Sequence, residues 1–254
     1  MTSFLPPYIP LSRSVLNLQE KGFALLHRDD FFSLSEHSEY DWGKLAQSWN
    51  HLADDKYLKD GGKYRKRKHA SVVVTDKSID VPPYRPHFQP ISYNALHGGM
   101  NRVFEPCDDA FLKHPAMYDF MIQLGDLFTQ VLTKSKPTLT PWFVEVHQFR
   151  IDTAHGIGRP TPEGAHRDGV NFVAVLLVDR LAVSGGESRV FDAHGPQGQR
   201  FTLDTPWSLL LLDDTKVLHE TTPIQPFDRS HPEKSWRDTL VLTYRQEGFL
   251  EANS

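Results

Sequence analysis

HRDGVNFVAVLLVDR, residues 166–180, decides how this chain folds. Its second half is an apolar run of β-formers, and its first half carries a histidine and an aspartate two positions apart. On an extended segment an i, i+2 spacing puts both side chains on one face. His166 and Asp168 can then share one ligand, and His219 lies just beyond a second apolar run, SLLLLDDTKVL (208–218). Two imidazoles and one carboxylate form the donor set of a mononuclear non-haem Fe(II) site with open positions. The distant third ligand has to come from a strand folded alongside the first two.

Short β-rich runs continue on both sides of that stretch. WFVEVHQFRI (142–151), ESRVFDA (187–193), SLLLLDD (208–214) and TLVLTYR (239–245) are separated by Gly, Pro, Asp and Asn, which reads as an antiparallel sandwich or barrel. Upstream, Ser12 to Glu20 reads as a short helix ended by Gly22, GFALLH (22–27) as a strand, and 35–54 as a polar helical stretch. ASVVV (70–74) is a strand, and residues 115–132 show the clearest helical spacing of apolar residues in the chain. The expected fold class is α+β with a mainly β core. One domain is expected over residues 1–254, with a helical, substrate-side part (1–140) and a β core bearing the metal site (141–246).

Composition excludes several function classes. The chain has 254 residues, 39% hydrophobic and 11% aromatic, enough for a substantial core. A net charge of −4 argues against general nucleic-acid binding. No apolar run approaches a membrane span, and the N-terminus lacks a basic region followed by an apolar stretch. A cytoplasmic protein with no membrane partner is therefore expected, and a homodimer is left open. The single cysteine, Cys107, has no partner for an internal disulfide and excludes a Cys-based zinc site. There is no GxSxG elbow, Walker loop, GxGxxG or HExxH motif.

With 13 histidines, a His-x-Asp pair can arise by chance. Here Gly169 follows at once, apolar runs flank the candidate ligands, and GGES (185–188) leads into a strand between them. The order His-x-Asp, GGE turn, distal His, then Arg opening the last core strand resembles the Fe(II)/2-oxoglutarate-dependent dioxygenases. In this chain those positions are His166, Asp168, Gly185-Gly186-Glu187, His219 and Arg237. DGGKYRKR (60–67), SYNALHGGMNR (92–102), HRDGVNFVAVLLV and WRDTLVLTYR (236–245) are similar to the bacterial branch that includes the L-isoleucine and other free amino-acid hydroxylases. The resemblance implies a double-stranded β-helix, or jelly roll, with the N-terminal helical part packed against it. It also implies Fe(II) held by His166, Asp168 and His219, with 2-oxoglutarate and O₂ as cosubstrates. The implied reaction couples decarboxylation of 2-oxoglutarate to hydroxylation of a small aliphatic L-amino acid or a close derivative.

The distal carboxylate of 2-oxoglutarate needs a cation, for which arginine offers a bidentate, permanently charged partner. Of the arginines after His219, Arg229 lies in a polar loop. Arg245 lies roughly 26 Å beyond Arg237 on an extended strand. Arg237 is the expected anchor, although its distance in sequence from His219 exceeds the family's usual spacing. On the substrate side, residues 60–69 hold six basic positions counting His69. Most such runs are solvated loops, but this one enters a strand. Tyr64, Arg65, Arg67, Tyr93, Asn94 and Arg102 are the candidate substrate residues, with an arginine for a substrate carboxylate. Trp142, Phe143 and Phe149 read as core, and Glu187 reads as a turn residue. GIGRPTPEG (156–164) reads as a lid that names no ligand. Two rival functions keep the barrel: a cupin-like metal-dependent hydrolase or isomerase, which does not need Arg237, and a non-catalytic jelly-roll binding module.

Overall fold

The computed structural model describes residues 5–94, 96, 98–132 and 141–252. The first residues of the N-terminal arm, and Ala95 and His97 of the 92–102 stretch, lie outside them. The elements in order are α1 (Ser14–Lys21), β1 (Phe23–Leu26), α2 (Arg28–Ser35), α3 (Glu39–Ala46), β2 (Ala53–Asp54), β3 (Arg65–Val74), β4 (Ile79–Asp80) and β5 (Glu105–Pro106). Then come α4 (Asp109–Leu112), α5 (Pro115–Leu132), β6 (Trp142–Asp152), β7 (Phe172–Leu181), β8 (Val183–Gly185), β9 (Glu187–Asp192) and β10 (Gly198–Thr202). The last are β11 (Leu209–Asp213), β12 (Val217–Thr221), β13 (Ile224–Pro226) and β14 (Trp236–Arg245).

Local chemistry explains the helices. Gly22 takes the left-handed conformation (φ 73°) that ends α1, and its N–H bonds the Leu18 carbonyl. The polar stretch expected as one helix over 35–54 is broken. Glu36 is left-handed and ends α2, Ser38 caps α3 by accepting from Asp41 N–H, and a 3₁₀ turn covers Gln47–His51. α5 begins with Pro115 at a position that needs no N–H donor and buries Met117, Phe120, Met121, Leu124 and Phe128 along one face.

The main sheet runs β1-β11-β7-β14-β6-β3-β2, with β4 and β5 pairing on β3. A three-stranded sheet, β10-β9-β12, and a β13-β8 pair complete the β structure. The N-terminal part is therefore not helical alone: β1 and β3 are integral strands of the main sheet. Alternation along each strand divides the interior. Even-numbered Val144, Val146, Leu240, Leu242 and Tyr244 join the helices in the larger hydrophobic cluster. Odd-numbered Glu145, His147, Phe149, Thr239, Val241 and Thr243 face a cavity on the other side. Leu209 and Leu211 of β11 pack with the helices, whereas Leu210 and Leu212 pack with Val190, Phe201 and Val217 of the small sheet.

Gly185 and Gly186 form the expected turn between β8 and β9. Both have positive φ, and a Cβ on Gly185 would meet the Pro223 carbonyl oxygen at 2.3 Å. Only glycine lets β13 approach so closely.

Phe128 stacks on Phe172 with centroids 4.5 Å apart and joins α5 to β7. Phe128→Ala should cost about 3–5 kcal/mol. Calorimetry should show a melting temperature lower by roughly 10 °C.

Candidate active site

His166 sits in the loop before β7, where it forms an isolated antiparallel bridge with His219. His166 N–H bonds the His219 carbonyl at 3.1 Å, and His219 N–H bonds the His166 carbonyl at 2.9 Å. The backbone thus locks the two histidines opposite each other. His219 lies in the middle of β12 rather than at the end of the leucine run, because a turn at Asp213–Lys216 separates the two. Asp168 is fixed by Asp214, whose carboxylate accepts the backbone N–H of Asp168 (3.0 Å), Gly169 (2.8 Å) and Val170 (3.1 Å).

The side chains converge. Asp168 oxygens lie 3.6 Å from His166 Nε2 and 3.7 Å from His219 Nε2. His166 Nδ1 donates to the Gly164 carbonyl at 3.0 Å, which leaves Nε2 for a metal. The two imidazole centroids are 4.5 Å apart. With metal–nitrogen bonds of about 2.1 Å and ring centres about 1.1 Å beyond the nitrogen, two imidazoles at right angles on one ion would be about 4.5 Å apart. The three residues could therefore hold one ion between them.

Electrostatics point the same way. Burial pushes His219 down to about 4, with repulsion from His166 adding to it and Asp168 opposing it. Burial also opposes a charge on His166, but Asp168 and Glu163 draw it up to about 10. Asp168 is lowered despite burial, through His166 and His219. Asp214, buried beside Asp168, is raised to about 7. The site is built to contain a positive charge beside Asp168.

Gln89 ties this centre to its surroundings. Its Nε2 donates to Asp168 Oδ1 at 2.8 Å, and its Oε1 accepts from Arg102 (2.9 Å) and Asn94 (3.2 Å). Arginine only donates, so the amide orientation is fixed.

Arg237 lines the same cavity, 3% exposed, and neither Nε nor Nη2 has a hydrogen-bond partner. Burial, reinforced by Arg180 and opposed by Asp238, lowers it to about 9. A buried guanidinium with unused donors fits an anionic ligand. Arg245 is instead bonded to the carbonyls of Glu247 and Gly248 at the far end of β14, and Arg229 is exposed.

Of the candidate substrate residues, Arg65, Arg67, Asn94 and Arg102 line the cavity. Arg65 pairs with buried Asp55 at 2.8 Å, and the Arg67 guanidinium lies 3.6 Å from the Phe104 ring centre and 4.5 Å from that of Phe149. Tyr64 is turned away, its hydroxyl donating to Asp60 at 2.8 Å outside the cavity lining. Tyr93 sits at the rim, its ring packed over Gly169 and partly exposed. Trp142 is core as expected, whereas Phe149 lines the cavity. Glu187 bonds Arg189 at 2.7 Å and keeps a structural role.

Sequence reading missed Gln89, Glu163, Asp214 and a buried polar cluster of His69, His87, Glu145 and His147. The signal for part of that cluster was legible: Glu145 and His147 alternate with Val144 and Val146 in WFVEVHQF. His87 Nδ1 donates to Glu145 at 2.7 Å, His69 Nε2 lies 3.6 Å from Glu145, and His147 Nε2 lies 4.0 Å from it. On spacing alone these four could hold a metal. Arg67, however, points an N–H at His147 Nδ1 at 2.8 Å. That nitrogen must accept, so the proton sits on Nε2 facing Glu145. The polarity favours imidazoles gathered around Glu145 over a second metal centre.

The matches to known proteins agree with this geometry. The profile of the 2OG-Fe dioxygenase family matches residues 46–243. The chain belongs to that family. It is a 2-oxoglutarate-dependent dioxygenase, an oxidoreductase of a family that uses Fe(II), 2-oxoglutarate and O₂. L-isoleucine-4-hydroxylase from Bacillus thuringiensis is 25% identical over 246 residues, 92% of this chain and 95% of that protein. The solved structure of a bsmA homologue from Methylobium petroleophilum PM1 is 44% identical, with 99% of each chain covered and a TM-score of 0.89. IDO from Bacillus thuringiensis shares the fold at 19% identity and a TM-score of 0.74, over 93% of this dioxygenase and 99% of that chain. The dioxygenase has a mainly β core with few helices, and among its described residues no helix is long and apolar enough to cross a membrane.

The buried imidazole cluster should make this dioxygenase acid-sensitive. Burial, opposed by Glu145, lowers His87 from 6.5 to about 4. Between those values the unfolded chain takes up a proton that the folded chain refuses, so stability falls as pH drops through that window. The loss from His87 should reach about 3 kcal/mol. Burial likewise lowers His69 and His147, which adds to the effect. Melting temperatures of the metal-free dioxygenase should fall from pH 6.5 to 4, with a shallower slope in His87→Gln.

Proposed function

We propose that this dioxygenase hydroxylates a small aliphatic L-amino acid or a close derivative, with His166, Asp168 and His219 as iron ligands and Arg237 as the 2-oxoglutarate anchor. We further propose that the main sheet and the β10-β9-β12 sheet form the double-stranded β-helix of the family. The observation that carries the reading is one cavity with two separate cationic regions. Arg237 lies on β14, and Arg65, Arg67 and Arg102 lie on and beside β3. One region suits the distal carboxylate of 2-oxoglutarate, and the other suits the carboxylate of a substrate. Val170, Val175 and Val241 supply apolar wall for an aliphatic side chain. The likeness to L-isoleucine-4-hydroxylase supports the substrate class.

His166, Asp168 and His219 would hold the iron with three protein donors and leave room beside it for the keto acid and O₂. Bound iron supplies the chemistry by which O₂ oxidises both 2-oxoglutarate and a substrate C–H bond, giving succinate, CO₂ and an alcohol. The chain supplies position and a dry site. Arg237, with Nε and Nη2 unused, takes the distal carboxylate. Gln89 occupies one oxygen of Asp168 and restrains its rotation. Asp214 holds the Asp168 backbone, and the His166–His219 bridge fixes the spacing of the imidazoles.

Anaerobic addition of Fe(II) and 2-oxoglutarate should produce a weak visible charge-transfer band. Its absence at saturation would remove the iron and cosubstrate assignments at these residues. Asp168→Ala should abolish iron-dependent succinate release. Arg237→Leu should raise the KM for 2-oxoglutarate about 10–100-fold with a smaller change in kcat. Gln89→Leu should weaken Co²⁺ binding about 10–100-fold in equilibrium dialysis, while the melting temperature of the metal-free protein changes little. Succinate release should rise with one or more members of a panel of free L-amino acids, and a flat panel would remove the substrate class alone.

A further inference from the structure

We infer that Glu163 is the acceptor for the α-ammonium group of the substrate and that Arg102 is the partner of its carboxylate, so that the cavity reads a zwitterion. This rests on the free amino-acid reading above and adds the feature that separates an amino acid from a simple carboxylic acid.

Glu163 lies in the 156–164 loop and lines the cavity. Its side chain is 11% exposed, and its Oε2 is buried with no hydrogen-bond partner. Its one ion-pair contact among the described residues is His166 Nε2 at 3.6 Å. An inward-facing carboxylate with an unused oxygen is costly unless a cation or N–H donor arrives with the ligand.

Arg102 is the complementary group. It is 3% exposed and lines the cavity. Its Nη2 bonds the neutral Gln89 oxygen, and its Nε has no hydrogen-bond partner. Among the described residues no carboxylate lies within ion-pair distance of it, whereas Arg65 is paired with Asp55. Arg102 is therefore the better free cation for a ligand carboxylate.

The linking contacts keep the two groups within reach of one small zwitterion. Arg102 and Glu163 stand at the two ends of a chain of three contacts: Arg102 to Gln89 at 2.9 Å, Asn94 to the same Gln89 oxygen at 3.2 Å, and Asn94 to Glu163 at 3.5 Å. An α-amino-acid head group about 3 Å across, held by two charge-assisted bonds of about 2.8 Å, spans roughly 6–9 Å. The same contacts hold the two charged side chains in fixed relation, so the pair is arranged before ligand arrives.

The test uses the iron-loaded enzyme and the amino acid that gives the highest succinate release in the panel above. That amino acid is compared with its 2-hydroxy and N-acetyl counterparts, which keep the carboxylate and side chain but lose the ammonium. Wild type should favour the amino acid over both in KM by about 10–100-fold. Glu163→Gln should raise the KM for the amino acid by a similar factor, about 10–100-fold, and level the three compounds. Its KM for 2-oxoglutarate and its anaerobic charge-transfer band should stay unchanged. Glu163→Asp should recover part of the preference. Retained preference for the amine in Glu163→Gln would overturn the assignment, as would loss of the charge-transfer band, which would place Glu163 in the service of the metal. A panel with no active amino acid would remove the substrate class and this assignment together. An active amino acid that Glu163→Gln leaves untouched would remove this assignment alone.

Discussion

Val144 and Val146 face the helices while Glu145 and His147 face the cavity, and a one-residue slip of β6 against β14 would exchange them. The pairing of Val241 with His147 and of Thr243 with Glu145, and on the other side of His69 with His147, brings inward-facing side chains of three strands into line. Arg237 and Arg65 both stand opposite Ile151, so the two cationic regions are placed by that same strand. The apolar row on the opposite face fixes the register, because it has to meet α5 and the other helices. Packing on one side of the sheet thus sets the geometry of the chemistry on the other.

The cavity concentrates charge at a cost the rest of the molecule offsets. Arg65, Arg67, Arg102 and Arg237 are all buried, and among the described residues Asp55 alone lies within ion-pair distance of Arg65 and Arg67. Glu145 is kept ionised against burial by its contacts with His87 and His69. Unused guanidinium donors and the free Glu163 oxygen are groups whose full partners come with ligand. Asp214 spends its hydrogen bonds on the backbone of 168–170, and Gln89 spends its own on Asp168 and Arg102. Rigid support for the His166–Asp168–His219 group and unused hydrogen-bond capacity facing the cavity are therefore separate jobs done by neighbouring residues.

Much of this was legible in the chain. The His166-x-Asp168 pair, His219, the glycine turn at 185–186 and Arg237 are local patterns with a local physical meaning. Apolar spacing marked α5, and the leucine run marked β11. Arg65 and Arg67 were separable from their lysine neighbours by strand alternation, since Lys66 points out to Asp54. Tyr64 was misread because its partner, Asp60, lies four residues away and takes the hydroxyl out of the cavity. Phe149 reads as core because an aromatic on a mostly buried strand looks the same whichever face it occupies, and in the structure it is half-buried against the cavity.

Sequence alone determined which residue types were available, which segments are apolar enough to form the main strands and α5, and which donors were candidates for a metal, because these depend on short-range periodicity and on chemistry carried by single side chains. Only the tertiary structure decided which residues meet. Gln89 reaches Asp168 across 79 positions, Glu145 meets His87 across 58, and Asn94 approaches Glu163 across 69. Such contacts are fixed by strand order and sheet register, which long-range packing selects and which no local pattern encodes.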